Sequence, residues 1–319
     1  MTPMTPWFHR PRAEPAQRGV VVLGAPLESG PRFRGARLMP AALRDAGLDD
    51  ALRRAGVAVA DLGDLEIHVG DHTRDAATGV LAYREVCAAT EKIREGVPQL
   101  LDSPDTPLVI GGCCGILVGI VAALRERYRH VGLAFVDGHL DFYDAESAPD
   151  GALADMTFAV LTRGGPSSLT TIVGGLPLVH PDDAWVLGFR DHWVMRARRA
   201  PDALRELPEA HFADDADVRH HGPVEVGRAV STALADRPGR FWLHVALDVL
   251  SSSAMPAVYD TLPGGLDWDE LTALLRPVVR NGALLGLDVA GYDPGKDPGR
   301  RCAARVVRLL ADVLGGQTT

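Results

Sequence analysis

The chain alternates between short apolar runs and stretches whose apolar residues recur with helical spacing. Continuous apolar strands interleaved with helices indicate an α/β fold with a parallel sheet covered on both faces. We predict strands at residues 19–23, 57–62, 107–110, 131–136, 185–189, 241–247 and 284–289. We predict helices at residues 41–54, 82–101, 117–127, 224–235, 269–279 and 301–314.

The same pattern divides the chain into a leader and one domain. Residues 1–18 are rich in Pro and Arg and lack an apolar core, so we expect a disordered leader and not a signal peptide. Residues 19–319 are expected to form a single α/β domain, because no linker, repeat or low-complexity tract interrupts them. The least regular stretch, residues 164–182, is interpreted as an excursion within that domain.

Composition narrows the class of protein. An apolar fraction of 46% and a charged fraction of 24% are typical of a soluble globular protein. The net charge of −9 disfavours nucleic acid and anionic membrane as partners, and a small molecule is the expected ligand. No apolar run reaches the roughly 18 residues that a membrane-spanning helix needs. Four cysteines in 319 residues do not make a disulfide framework, so we expect a reducing cytoplasm.

Polar side chains follow the predicted strand 131–136. Asp137, His139 and Asp141 come directly after it, and alternation along an extended segment places all three on one face. Two carboxylates and an imidazole are suitable ligands for a divalent metal, and a bound cation removes the repulsion between the carboxylates. The alternative interpretation is a solvated acidic loop tip with a chance histidine.

A second strand end carries a single carboxylate. Asp248 follows the predicted strand 241–247 and shares a face with His244 and Ala246 by the same alternation. An acidic residue after a strand is also common as a helix cap or turn residue, and both interpretations stay open for Asp248.

Two adjacent cysteines follow a third predicted strand. Cys113 and Cys114 lie in a glycine-rich segment that permits a tight turn before the next helix. Near a helix N-terminus the dipole favours the thiolate of Cys114. The alternative is a pair of small buried apolar side chains, and adjacent cysteines do not have the spacing of a structural zinc site.

Together these three segments, in this order and spacing, resemble the arginase/agmatinase (ureohydrolase) family over most of the chain. The resemblance implies a three-layer αβα sandwich around a mainly parallel sheet of about eight strands. It also implies two Mn²⁺ ions that hydrolyse guanidino groups through a bridging hydroxide, and a homo-oligomer, either trimer or hexamer. Further matching segments lie at residues 23–26, 34–44, 61–64, 186–191 and 287–294.

The resemblance implies five metal ligands. Asp137, His139 and Asp141 match the family's D-x-H-x-D loop, and Asp141 is also the expected catalytic partner of the metal-bound hydroxide. Asp248 matches the second of two aspartates that end a later strand. Cys114 stands where the family has a histidine ligand, and its softer thiolate shifts the expected preference from Mn²⁺ toward Zn²⁺, Fe²⁺ or Ni²⁺.

Besides Cys114, three positions depart from the family pattern. Ala246 replaces the aspartate that bridges both ions, Gly291 replaces the glutamate that engages the substrate guanidinium, and Ala154 replaces a histidine. We therefore expect one tightly held ion, or two ions with uneven occupancy. His244 lies about 6.6 Å back along the strand from the missing carboxylate, so we interpret it as a core histidine and not as a substitute ligand.

Three functional hypotheses follow. The first is a metal-dependent hydrolase that uses metal-activated water on a linear C–N bond of a modified guanidino, ureido or amide compound, and not of plain arginine. The second is a non-catalytic relative that serves as a binding or assembly subunit, motivated by Ala246 and Gly291. The third is a cysteine nucleophile, with Cys114 beside His139.

Overall fold

The computed structural model describes residues 19–164, 177–237 and 239–316, so the predicted leader lies outside the described residues. Within these ranges eight strands form one sheet. The strands are β1 (Val20–Ala25), β2 (Val59–Asp64), β3 (Thr106–Gly111), β4 (Val131–Val136), β5 (Ala184–Leu187), β6 (His211–Ala213), β7 (Arg240–Ala246) and β8 (Leu284–Ala290). Their order is β2-β1-β3-β8-β7-β4-β5-β6, and all neighbouring pairs are parallel.

Helices cover both faces of this sheet. They are α1 (Met39–Asp45), α2 (Leu48–Arg54), α3 (Tyr83–Leu101), α4 (Ile116–Arg127), α5 (Thr157–Thr162), α6 (His192–Ala197), α7 (Ala203–Glu206), α8 (Asp215–His221), α9 (Pro223–Asp236), α10 (Trp268–Val279) and α11 (Arg301–Leu314). Helices α3, α4 and α5 pack together in one layer, and α1, α2, α9, α10 and α11 form the other. The expected three-layer sandwich is confirmed.

Each face of the sheet contributes to its own apolar core. In β1, Val21 and Leu23 belong to the core under α3 and α4, whereas Val20 and Val22 belong to the core under the other layer. This division follows from the alternation of side chains along a strand. It also explains why the strands are continuous apolar runs, since both faces are buried.

The predicted elements are largely found. Strand β4 and helix α11 have the predicted bounds, and the other predicted strands differ by one or two residues at their ends. The predicted helix 41–54 is two helices, because Gly47 adopts a left-handed conformation with φ of 83° between them. Strand β6 was not predicted, since three partly exposed residues give no usable alternation. Most of the predicted excursion, residues 165–176, lies outside the described residues.

The all-parallel sheet brings the polar strand ends together. Strands β3, β8, β7 and β4 are consecutive neighbours at its centre, so the loops after them share one edge. Ligand sites in such sheets lie at this carboxyl edge. The four cysteines form no disulfide bonds with one another. Among the described residues, no helix is long and apolar enough to span a membrane.

Candidate metal centre

The loop after β4 is held by bonds to its neighbours. The Asp137 amide continues the sheet by donating to the Leu187 carbonyl at 3.0 Å. The chain then bends at Gly138 and His139, and Asp141 has a left-handed φ of 46°. The extended geometry that we expected for this segment is therefore not found, and alternation does not decide which side chains meet.

A buried arginine ties this loop to the one after β7. Arg190 donates to the carbonyls of Asp248 and Leu250 at 2.7 and 3.2 Å, and its own amide donates to the Gly138 carbonyl at 3.0 Å. A Cβ atom on Gly138 would lie 2.5 Å from the Asp248 carbonyl oxygen, so only glycine permits this approach. The two loops therefore form one rigid unit that positions their carboxylates.

One group of donors, which we call the outer cluster, consists of Asp137, His139 and Asp248. The Nδ1 atom of His139 lies 3.2 Å from Oδ2 of Asp248 and 3.7 Å from Oδ1 of Asp137. Asp248 lies in a 3₁₀ turn, Leu247–Val249, directly after β7. The side chains of His139 and Asp248 are 18% and 13% exposed, so solvent reaches this cluster.

A second group, the inner cluster, consists of Cys114, Asp137 and His244. The Sγ atom of Cys114 lies 3.6 Å from Oδ2 of Asp137, and Nε2 of His244 lies 3.7 Å from the same oxygen. The three donor atoms lie within 4.8 Å of one another, and all three residues are buried. Asp137 thus presents one carboxylate oxygen to each cluster.

His244 was interpreted as a core histidine, and its side chain is indeed fully buried. However, its ring extends toward the strand end, so Nε2 reaches the inner cluster although the backbone lies further back. Its Nδ1 atom lies 2.6 Å from Oδ2 of Asp288, while Nε1 of Trp242 donates to Oδ1 of Asp288 at 2.6 Å. Register explains these contacts, because His244 is paired with Asp288 between β7 and β8.

Asp141 lies near both clusters and belongs to neither. Its side chain is buried, and its Oδ2 atom has no hydrogen-bond partner in the part of the chain that the structure describes. Burial and the neighbouring Asp137 raise the pKa of Asp141 well above its usual value. Of the five ligands that the resemblance implies, four fall in the two clusters, and Asp141 lies beside them.

Histidines and carboxylates in the clusters change one another's proton affinity. Burial opposes ionisation of Asp137, but hydrogen bonds and charge from His139 and His244 lower its pKa below the usual value. Burial likewise opposes protonation of His244, but Asp288 and Asp137 raise its pKa to about 10. Asp248 has a raised pKa because of burial and Asp137. The site therefore contains an excess of buried carboxylates, and this excess attracts positive charge.

The surroundings of Cys114 differ from the expected thiolate environment. Burial, followed by the charges of Asp137, Asp141 and Asp248, raises the pKa of Cys114 well above its usual value. A thiol in this environment remains protonated and is a poor nucleophile unless a cation neutralises the carboxylates. Burial beside three carboxylates therefore disfavours the hypothesis that Cys114 is a catalytic nucleophile.

The donor set fits a divalent cation. Two buried atoms that face the site, Oδ2 of Asp141 and Nε2 of His244, have no hydrogen-bond partner among the described residues. Buried polar groups are normally paired, and a bound cation would provide the partner that these two atoms lack. Thiolate, imidazole and carboxylate are all ligands of divalent transition metals.

The three positions without a donor side chain, Ala246, Ala154 and Gly291, are all buried at the carboxyl edge of the sheet. Ala246 ends β7 and is fully buried, and Ala154 donates its amide to the Ser29 hydroxyl at 3.4 Å. Gly291 has φ of 91° and donates its amide to the Gly112 carbonyl at 2.8 Å. None of these positions supplies a donor side chain to either cluster.

Residues outside the predicted set also build the site. Asp288 fixes the His244 ring, Arg190 holds the Asp248 loop, and Asp191 accepts a hydrogen bond from the Leu140 amide at 3.0 Å. Arg190 and Asp191 lie in a segment that we matched to the family without giving it a role. The available sequence signal was the presence of charged residues at the end of an apolar strand.

Comparison with known proteins places this geometry in a family. A model of the arginase family matches residues 18–315. The arginase of Bacillus caldovelox is 25% identical over 297 residues, which cover 93% of this chain and 98% of that protein. Its solved structure has a TM-score of 0.83 and covers 95% of this chain and 100% of that chain.

Two further relatives agree. The arginase of Agrobacterium fabrum is 26% identical over 312 residues, which cover 96% of this chain and 94% of that protein. The structure of proclavaminate amidino hydrolase from Streptomyces clavuligerus has a TM-score of 0.69 at 22% identity, covering 94% of this chain and 92% of that chain, which shows a shared fold. Since the family model spans almost the entire chain, this protein belongs to the arginase family.

Proposed function

We propose that this protein is a metal-dependent hydrolase that cleaves a linear C–N bond in a small guanidino, ureido or amide compound other than free arginine. The observation that carries this proposal is the position of Asp137. Its Oδ1 atom faces His139 at 3.7 Å, and its Oδ2 atom faces Cys114 and His244 at 3.6 and 3.7 Å. A single carboxylate between two donor clusters supports metal chemistry at this sheet edge.

The outer cluster supplies the substrate-facing donors. Asp137, His139 and Asp248 would hold one ion, and a divalent ion there would act as a Lewis acid and ionise water near neutral pH. His139 and Asp248 are the partly exposed members, so a substrate approaches from their side. The arginase family implies a divalent metal, with Mn²⁺ as its usual ion.

Asp141 is the proposed proton carrier. Burial and the neighbouring Asp137 raise the pKa of its carboxyl group, so it binds a proton more readily than an exposed aspartate does. The unpartnered Oδ2 atom is free to accept that proton from water and to return it to the departing nitrogen. The water oxygen would bond to the substrate carbon while Asp141 holds the water proton. The C–N bond would then break as that proton passes to the nitrogen, which leaves as a neutral amine.

The substrate preference follows from missing side chains. At Gly291 the only described atom within 4 Å of a Cβ atom would be the Leu247 amide nitrogen, at 3.5 Å, so there is local room beside this buried residue. With glycine at this position there is no carboxylate to pair with a guanidinium group. The relatives named arginase and amidino hydrolase support a C–N substrate, and the lack of a carboxylate at position 291 supports one whose reacting end is substituted or uncharged.

Metal analysis combined with turnover assays tests this proposal. The purified full chain, loaded separately with Mn²⁺, Zn²⁺, Fe²⁺ or Ni²⁺, would be assayed on a panel of guanidino, ureido and amide compounds for release of urea or amine. We expect turnover of at least one substituted compound, little turnover of arginine, and loss of more than about 100-fold in Asp137→Asn.

Asp236→Asn is the matched control, because Asp236 is an exposed carboxylate at the end of α9, and this variant should keep full activity. Bound metal without turnover of any compound would favour the non-catalytic hypothesis. Turnover that survives both chelation and Asp137→Asn would refute metal-dependent catalysis.

A further inference from the structure

We propose that the inner cluster is a separate metal site of soft character, in which His244 is a ligand together with Cys114 and Asp137. This site would bind Zn²⁺ in preference to Mn²⁺, while the outer cluster binds Mn²⁺. His244 would thus supply the donor that Ala246 lacks. This inference rests on one part of the proposed function, the binding of metal ions at these loops. It holds whether or not the chain turns over a substrate.

Distances in the inner cluster suit one small tetrahedral ion. With metal–sulfur and metal–oxygen bonds of about 2.3 and 2.1 Å, a tetrahedral site separates sulfur from oxygen by about 3.6 Å. The separation of Cys114 Sγ and Asp137 Oδ2 is 3.6 Å. The corresponding nitrogen–oxygen separation is about 3.4 Å, and His244 Nε2 lies 3.7 Å from Asp137 Oδ2. These two separations are within a few tenths of an ångström of the tetrahedral values, and the third pair, Cys114 Sγ and His244 Nε2, lies within 4.8 Å.

Protonation of the His244 ring is fixed for metal binding. Asp288 lies 2.6 Å from Nδ1, so Nδ1 donates its proton to this carboxylate and Nε2 is the ring nitrogen that a metal would bind by displacing its proton. A histidine whose second nitrogen donates to a carboxylate is the usual arrangement of a metal ligand. Because Trp242 occupies the other oxygen of Asp288 at 2.6 Å, the carboxylate cannot turn away.

The plane of the ring is fixed as well. Phe135 stacks on His244 with ring centroids 4.8 Å apart and an interplanar angle of 25°. Nε2 is therefore aimed at the inner cluster, fully buried and without a hydrogen-bond partner in the described ranges. An unpaired nitrogen held in this way is costly unless it binds a ligand.

The two clusters differ in depth. Cys114, Asp137 and His244 are 8%, 1% and 0% exposed, whereas the side chains of His139 and Asp248 are 18% and 13% exposed. An ion in the inner cluster would be shielded from solvent and exchange slowly. An ion in the outer cluster would exchange more readily and would be the one that meets the substrate.

The two clusters also differ in donor type. Thiolate with imidazole and a single carboxylate oxygen favours Zn²⁺, whereas two carboxylates with one imidazole are harder donors that suit Mn²⁺. Asp137 belongs to both clusters through different oxygens. The expected loaded protein therefore contains one zinc and one manganese ion per chain.

Cobalt substitution of the full chain tests the inner site directly. A Co²⁺–thiolate bond gives a near-ultraviolet charge-transfer band, which we expect for the wild type at one ion per chain. Cys114→Ser should abolish the band, and His244→Ala should weaken Co²⁺ and Zn²⁺ binding by at least about 100-fold. Cys302→Ser and His221→Ala are matched controls on α11 and α8, and both should leave the titration unchanged.

The variant His139→Ala separates the two clusters. It should lose Mn²⁺ binding and keep the cobalt–thiolate band. A cobalt complex of the wild type without this band would overturn the inner site. A band of unchanged affinity in His244→Ala would overturn the assignment of His244 as a ligand.

X-ray absorption gives a measurement that does not depend on the folding of a variant. Wild-type protein with less than one equivalent of Zn²⁺ should show one sulfur neighbour at about 2.3 Å together with imidazole scattering. Only nitrogen and oxygen neighbours would overturn the inference while leaving the proposed function intact, since the outer cluster alone supplies such ligands. A sulfur-bound zinc with no turnover of any substrate would leave the inference standing and remove the proposed function.

Discussion

The Nδ1 atom of His244 lies 2.6 Å from the Oδ2 atom of Asp288, across the buried pair of strands β7 and β8. This contact fixes a proton on Nδ1 and turns Nε2 toward Cys114 and Asp137. A histidine that would otherwise be part of the apolar core thereby becomes a donor at the carboxyl edge of the sheet.

Asp288→Asn should reverse the orientation of the ring proton. The amide group of Asn donates to Nδ1, so the proton moves to Nε2 and blocks the lone pair. We expect Zn²⁺ affinity to fall by about 10- to 100-fold, as for other carboxylate partners of metal-bound histidines. Competition with a chromophoric chelator measures this change. Asp236→Asn serves as the control, and an affinity equal to that of the wild type in Asp288→Asn would contradict the role of Asp288.

Gly112→Ala should displace the loop that carries Cys114. A Cβ atom at Gly112 would lie 1.9 Å from the Leu27 carbonyl oxygen, and backbone cannot yield as a flexible side chain can. We expect a loss of about 1–3 kcal/mol in the free energy of unfolding, measured in urea, together with weaker metal binding.

The control for this prediction is Gly282→Ala. No described atom lies within 4 Å of a Cβ at Gly282, and its φ does not lie in the left-handed region. That variant should be unchanged or more stable by up to about 1 kcal/mol. Equal stability of the two variants would show that the Leu27 contact does not constrain the loop.

Ala246→Asp should add a carboxylate between the two clusters. Ala246 shares a strand face with His244 and is fully buried, so its new carboxylate would lie among those already present. In chelator-treated protein we expect lower stability, because another buried anion is introduced. Mn²⁺ affinity should rise by at least about 10-fold, measured by calorimetric titration.

Ala246→Asn has the same size without the charge and should not gain Mn²⁺ affinity. If both variants bind Mn²⁺ as the wild type does, the side chain at position 246 does not face the metal site.

Asp191 gives a prediction for the dependence of stability on pH. Burial raises the pKa of Asp191 from 3.8 to about 6, and its Oδ2 atom is unpaired among the described residues. The folded state therefore holds this proton more tightly than the unfolded state does. Its contribution to stability is present below about pH 4 and is lost as the pH rises through 6, which amounts to about 3 kcal/mol.

Asp191→Asn removes this titration and keeps an oxygen for the Leu140 amide. Relative to the wild type, the variant should become progressively more stable between about pH 4 and pH 7. Urea unfolding of both proteins in chelator at several pH values measures the difference. A difference in stability that does not change with pH would contradict the raised pKa.

Most of the strands and helices could be predicted from the local pattern of apolar residues. The bounds of β4 and α11 followed directly from the sequence, because β4 is an unbroken apolar run that ends at Asp137 and α11 is long enough to show a clear helical period. The break between α1 and α2 was missed, since a left-handed Gly47 leaves the apolar spacing on either side almost unchanged. Strand β6 was missed because its three residues pair only along one edge of the sheet.

The candidate site was likewise predictable only in part. The sequence by itself determined that Cys114, Asp137, His139 and Asp248 would stand at strand ends, because the carboxyl ends of parallel strands must share one edge. Only the tertiary structure decided how these donors are grouped, since a bend at Gly138 and the left-handed Asp141 are set by contacts between loops.

The contribution of His244 was likewise decided by tertiary structure. Its partner Asp288 is 44 residues away in the chain, and the register of β7 on β8 brings the two side chains together. Side-chain alternation is a property of one strand and can be read locally, whereas register depends on the packing of both faces. For this reason the sequence predicted the sheet and the ligand-bearing edge, and the folded chain alone paired His244 with Asp288 and aimed it at Asp137.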